Sequence, residues 1–216
     1  NVNEKPRNKK FSKFTFLKTA LLALQNVAIT LREVKKYKAP ALFLLSYWLY
    51  IDGVDTIIRM ATAYGADIGL DSSSMITALL LTQFIGFPST LIFGIYANKL
   101  GFKVTLSIGI LIYIIVCFYS AYMETATEFY ILAGTIGLVQ GGIQAISRSF
   151  FSNLIPEGKA SEFFGFYNLV GKSAVVIGPA LVAWVGLLLG SPRLGILSLL
   201  VLFIPGLFLL WLVPEK

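Results

Sequence analysis

There is no histidine in this sequence, and the single cysteine, Cys117, lies deep in an apolar run. One thiol cannot close a disulfide or build a thiolate metal site within the chain. Without imidazole, a zinc or copper centre has no ligand set, so no metal and no cofactor is expected. Charge is scarce as well: 13% of residues are charged, against about 25% in soluble domains. The N-terminus lacks the charged-then-apolar pattern of a signal peptide. It opens Asn-Val-Asn-Glu without Met, which reads as a piece of a longer protein.

What fills the chain instead is apolar: 56% hydrophobic residues, with a mean hydropathy of +0.78. That composition describes an integral membrane protein. Its apolar segments have helical length rather than ten-residue alternation, which excludes an outer-membrane barrel. Beyond Lys38, six segments emerge, at about 39–64, 74–97, 103–123, 128–151, 162–189 and 193–213. Each is long enough to cross a bilayer at 1.5 Å rise per residue. They are separated by breakers or charges, such as Gly65-Ala66-Asp67, Asn98-Lys99-Leu100-Gly101 and Gly190-Ser191-Pro192. The fold class is therefore all-α integral membrane, with residues 1–38 as a basic leader and 39–216 as a six-helix domain.

Charge at the joins gives an orientation. The first, third and fifth joins hold Asp67, Asp71, Glu124 and Glu128 with one base, Arg193. The second and fourth hold Lys99, Lys103 and Lys159, with Arg148 just inside the preceding span. Lys and Arg collect on the cytoplasmic side, which puts both termini there. The leader holds ten of the eighteen basic residues. Its stripe of Leu17, Ala20, Leu21, Leu24, Ala28 and Leu31 has helical period, as in an amphipathic helix lying on the membrane face. A seventh span at this point would bury Lys18, Gln25 and Asn26. Topology accounts for the net charge of +7, so no nucleic-acid partner is expected.

Polarity varies along the spans with period three. The third and sixth carry no charge in their cores, as lipid-facing helices should. The first and fourth are the most polar. The second and fifth are intermediate, each interrupted by a Gly/Pro element, Gly86-Phe87-Pro88 and Gly178-Pro179. A three-plus-three inverted repeat of this kind marks secondary transporters and points to the first and fourth spans as cavity-lining.

The join between the second and third spans reads Gly94-Ile95-Tyr96-Ala97-Asn98-Lys99-Leu100-Gly101-Phe102-Lys103. It resembles the signature loop of the major facilitator superfamily, with Asn98 where that family usually has Asp. Gly101 allows the tight turn, and Lys99 and Lys103 can bond helix C-termini, whose dipoles favour cations. A second group of motifs narrows the branch: Tyr50-Ile51-Asp52-Gly53-Val54; Gln140 to Ser149; Leu154 to Lys159; and Glu162 to Asn168 followed by Gly171-Lys172. These resemble the vacuole effluxer-like branch of the superfamily over about residues 30–213, with Ile51 standing where Asn is expected. The resemblance implies a twelve-helix transporter of amino acids in a bacterial inner membrane. This chain would be its C-terminal half and the leader its central linker. The implied partners are a small solute, the bilayer and the N-terminal six-helix half.

The candidate site is a set of polar side chains at bilayer depth, where each ionisable group costs at least about 2.5–3.5 kcal/mol. On the first span Asp52, Asp55, Thr56 and Arg59 share one face; on the fourth, Gln140, Gln144, Ser147 and Arg148 do so; the fifth presents Asn168 and Lys172. Asp55 and Arg59, four apart, can pair within the helix, leaving Asp52 and Lys172 to pair across helices or to meet ligand charges, Asp52 an ammonium or a proton and Lys172 a carboxylate. The alternatives are a helix-packing ion pair for Asp55 and Arg59, a structural role for Asp52, an interfacial anchor or gate at Arg148, and close helix packing at Gly137 and Gly141. Tyr47 to Tyr50 either line the pocket or pack. The sequence holds neither a His base nor a nucleophile beside a base, so no enzyme is expected. A membrane scaffold or receptor, or a dimeric six-helix channel, are the competing functions.

Overall fold

A computed structural model describes residues 36–67 and 69–214; the expected leader helix lies outside these residues. Eight helices run α1 Lys38–Asp67, α2 Ser72–Leu100, α3 Phe102–Tyr122, α4 Ala126–Leu154, α5 Ala160–Ser173, α6 Ile177–Leu189, α7 Pro192–Leu197 and α8 Leu200–Leu212. They make six membrane-length spans, because α5 with α6 and α7 with α8 are each one span with an internal turn. The chain is thus a multi-pass membrane protein. Most spans overrun their apolar limits; in α2 and α4 a polar cap satisfies terminal N–H groups beyond the apolar core. Asp71 caps α2, accepting from the Ser74 N–H at 3.1 Å. The Ser73 hydroxyl, then the Ser74 hydroxyl and N–H, hold its carboxyl below the usual carboxylate range. Thr125 and Glu128 form a capping box on α4.

We call proximal the end at which α1 begins, and distal the opposite one. At the proximal end α2 turns into α3 through Gly101 alone, at φ +87°, a conformation that disfavours any side chain. Lys103 then reaches the last helix: its Nζ donates to the Val213 carbonyl at 2.8 Å and lies 5.5 Å from the Trp211 ring. The loop lysine so neutralises a helix C-terminus, as its position suggested. Lys103→Met should lower stability by about 1 kcal/mol, read as an earlier thermal melt in detergent. An unchanged melt would leave the contact without energetic weight. At the distal end Arg193, the one base among the acidic joins, meets Glu124 at 3.7 Å and the Met123 carbonyl at 3.3 Å. It latches the fifth join to the third.

The contacts pair up when the first three spans are exchanged with the last three. The first span packs on the sixth as the fourth packs on the third, and the third meets the sixth. The second and fourth spans form the closest pair, whereas the first and fifth, their counterparts, touch lightly. The tight pair rests on glycine. A Cβ at Gly137 would lie 2.7 Å from the Thr82 carbonyl oxygen, and one at Gly141 would lie 2.1 Å from the Thr90 hydroxyl. These glycines serve close helix approach, one of the two roles open to them in the sequence.

Several cross-helix hydrogen bonds are buried. They include Ser46 to the Gly206 carbonyl (2.7 Å), Tyr50 with Ser147 (2.6 Å) and Tyr64 to the Ser120 carbonyl. Such bonds average about 0.6 kcal/mol in membranes, so they fix register while the packing holds the bundle.

One expectation about the spans needs correction. The second span is not interrupted at Gly86-Phe87-Pro88: α2 runs through Pro88 unbroken. Its support is the long contact with α4, and the Ser89 and Thr90 hydroxyls donate to the Ile85 and Gly86 carbonyls beside the missing bond. The sixth span breaks instead, at Ser198-Leu199, where the bonding tightens to three-residue spacing. Within this domain the third and sixth spans pack on each other, and their apolar windows are 50% and 39% buried, against 11% for the second and 17% for the fifth.

Candidate functional site

The loose contact between the first and fifth spans leaves a cavity of about 290 Å³. The middle of α1 contributes Tyr47, Ile51 and Asp55, one turn apart; α4 contributes Gln144 and Arg148, again one turn apart. The facing side of α5 adds Tyr167, Asn168, Gly171 and Lys172. The wall is aromatic on one side: the Tyr47 and Tyr167 rings stack at 4.3 Å, and Phe43, Phe151 and Phe164 extend that cluster. Gly171 admits Tyr47, because a Cβ there would stand 2.9 Å from its hydroxyl. The Arg148 Cζ lies over the Phe164 ring, 5.4 Å from its centroid, a cation–π contact.

Of the expected site residues, Asp55, Gln144, Asn168 and Lys172 come together here. None of the four makes a hydrogen bond or ion pair among the described residues. Asp55 and Arg59 do not close the intrahelical pair; the ion pair formed among the described residues is Arg193–Glu124. Arg59 is exposed and does not line the cavity, nor does Gln140, which is half-buried on α4. In the loop, Lys103 is bonded as described, and Gly94, Asn98 and Lys99 are exposed and do not line this cavity.

Asp52 sits elsewhere. It is 1% exposed, its Oδ2 accepts the Gly178 N–H at 2.9 Å, and the Thr56 hydroxyl faces its Oδ1 at 3.5 Å. The reason lies in the fifth span. Pro179 has no N–H for the Val175 carbonyl and crowds it, and the helix gives way at Ala174–Val176. That leaves the first N–H groups of α6 unpaired inside the bundle, and its own N-cap residue, Val176, offers no side-chain bond. Asp52 supplies the missing acceptor from α1. The match is close: a Cβ on Gly178 would lie 2.0 Å from the Thr56 hydroxyl oxygen. A signal for this was present, since a proline-broken helix starting on two valines at mid-span needs a cap from another helix.

Sequence reasoning missed Tyr167 and left Tyr47 undecided. Aromatic residues at helical spacing are ordinary core, and only the fold shows which ring borders a cavity. A larger cavity, about 380 Å³, lies distally between α1, α6 and α7. It is lined by Met60, Val182, Leu187 and other apolar groups, with Asp67 its one charged residue. Chemistry therefore favours the smaller one.

Comparison with known proteins agrees with this architecture. The family model described as vacuole effluxer Atg22 like matches residues 2–216. The chain is 46% identical over 187 residues to a Bacillus subtilis protein named uncharacterized MFS-type transporter YxiO, covering 87% of this chain and 44% of that protein. It is 29% identical over 198 residues to autophagy-related protein 22 of Yarrowia lipolytica, covering 86% and 34%. It thus spans less than half the length of these relatives. The match runs along virtually the whole six-span domain, and the chain belongs to the vacuole effluxer Atg22-like family, within the MFS-type transporters.

Proposed function

We propose that this chain is the C-terminal half of a secondary transporter that moves a small polar solute, an amino acid in the first instance, by alternating access against a second six-helix half. The observation that carries the reading is the cavity itself. Four polar side chains from three spans line it without a hydrogen bond or ion pair among the described residues. Such groups are costly unless a ligand, water or a facing half satisfies them. The family supports the reading, and so does the relatives' length, more than twice that matched here for the bacterial one. On this reading the whole protein lies in a bacterial inner membrane with the proximal end cytoplasmic. It acts on its solute without covalent chemistry or a cofactor, and it has no nucleic-acid partner.

The solute's ammonium would meet Asp55 rather than Asp52, whose carboxylate is occupied by Gly178. Gln144 and Asn168 would offer neutral donors and acceptors. The test is substrate screening with the full-length protein in proteoliposomes under imposed proton and sodium gradients. Movement of an amino acid above protein-free vesicles is expected. If no solute moves in any gradient, the transport reading is wrong.

A further inference from the structure

We infer that Arg148 and Lys172 together form a carboxylate-binding end of this cavity, and that the solute it accepts is an amino acid without net positive charge. The inference rests on the transport reading and narrows it. Two cations and one carboxylate border the cavity: Arg148 from α4, Lys172 from α5 and Asp55 from α1. The excess of one positive charge is uncompensated among the described residues, since neither cation is in an ion pair there. Arg148 is moreover held in place. Its guanidinium rests on Phe164, which itself packs edge-on against Phe151 and Tyr167. A guanidinium carries a planar fork of N–H donors, the geometry that matches a carboxylate. An interfacial anchor would instead point to headgroups and leave a cavity wall.

The charge arithmetic then selects among solutes. A zwitterion brings one carboxylate to the two cations and one ammonium to Asp55, and an acidic side chain adds a further partner for the surplus charge. A cationic side chain would enter a space already positive. It would lack an acceptor, because Asp55 is the one acid on this wall.

The experiment uses the full-length protein in proteoliposomes, with L-glutamate, L-alanine, L-lysine and the carboxylate-free amine isobutylamine as probes. Glutamate and alanine should drive counterflow, lysine at least tenfold less, and isobutylamine should not compete. R148Q and K172Q should each raise the apparent KM for alanine at least tenfold, while R148K, which keeps the charge but loses the fork, should fall between. Detergent melting curves show whether each variant is folded. The selectivity of the unmutated protein tests the inference even where a variant fails to fold. Lysine moving as well as glutamate, or folded variants with unchanged KM, would overturn the assignment and leave transport standing. No movement of any probe or any other solute would sink the transport reading and this assignment with it.

Discussion

Gly137→Val should be the most damaging single substitution in the bundle. The obstacle is main chain: a Cβ at Gly137 would lie 2.7 Å from the Thr82 carbonyl oxygen and 3.1 Å from its Cα. A side chain can rotate away from an intruding methyl, but here α2 as a whole must move back from α4. That displacement would also pull the Thr82 hydroxyl from the Ala133 carbonyl, 3.1 Å away, and disturb the seat of Phe93 against Gly142. Overpacking costs about 1–3 kcal/mol where the surroundings adapt, and a branched residue against backbone belongs at the upper end or beyond. Gly137→Ala should cost less but act in the same direction. Thermal melting of the full-length protein in detergent gives the answer. Melts of both variants within a degree of the parent would mean that α2 and α4 do not meet at the backbone.

Asp52 provides the second large effect, and its test separates structure from transport. Asp52→Ala removes the acceptor of the Gly178 N–H inside the bundle and leaves the start of α6 without a cap, a loss of about 1–3 kcal/mol. Asp52→Asn should be nearly silent. Its amide oxygen can take the same N–H, and its amide donors can face the Thr56 hydroxyl. Gly178→Ala should resemble Asp52→Ala, because its methyl would enter the space of the Thr56 hydroxyl. Both melting and solute movement are to be measured. If Asp52→Asn melts normally but no longer moves solute, then Asp52 titrates or binds in the transport cycle and its role as a cap is incidental.

These two cases show where sequence reading stops. Gly137 and Asp52 were both visible as unusual: a glycine pair at helical spacing, and an acid in an apolar span. What each was for depended on the facing helix. Gly137 meets a carbonyl of α2, and Asp52 meets an N–H exposed by a proline 127 positions later in the chain. Spacing along one helix specifies a face and says nothing of what that face touches. The same limit explains Asp55 and Arg59. Four residues apart, they were free to pair, yet Asp55 lines the cavity and Arg59 is exposed outside it.

The sequence by itself determined the class of the molecule. Lipid cannot satisfy a backbone N–H, so apolar segments of membrane length have no choice but helix. Six spans and the turn at Gly101 followed from short-range rules. Only the tertiary structure decided which polar groups share a space. It drew Asp55, Gln144, Asn168 and Lys172 into one cavity, assigned Asp52 to the broken fifth span, and placed the third and sixth spans against each other. Helix–helix packing in a membrane is decided by small differences in surface fit and by a few weak hydrogen bonds. Those differences exist only once two surfaces meet.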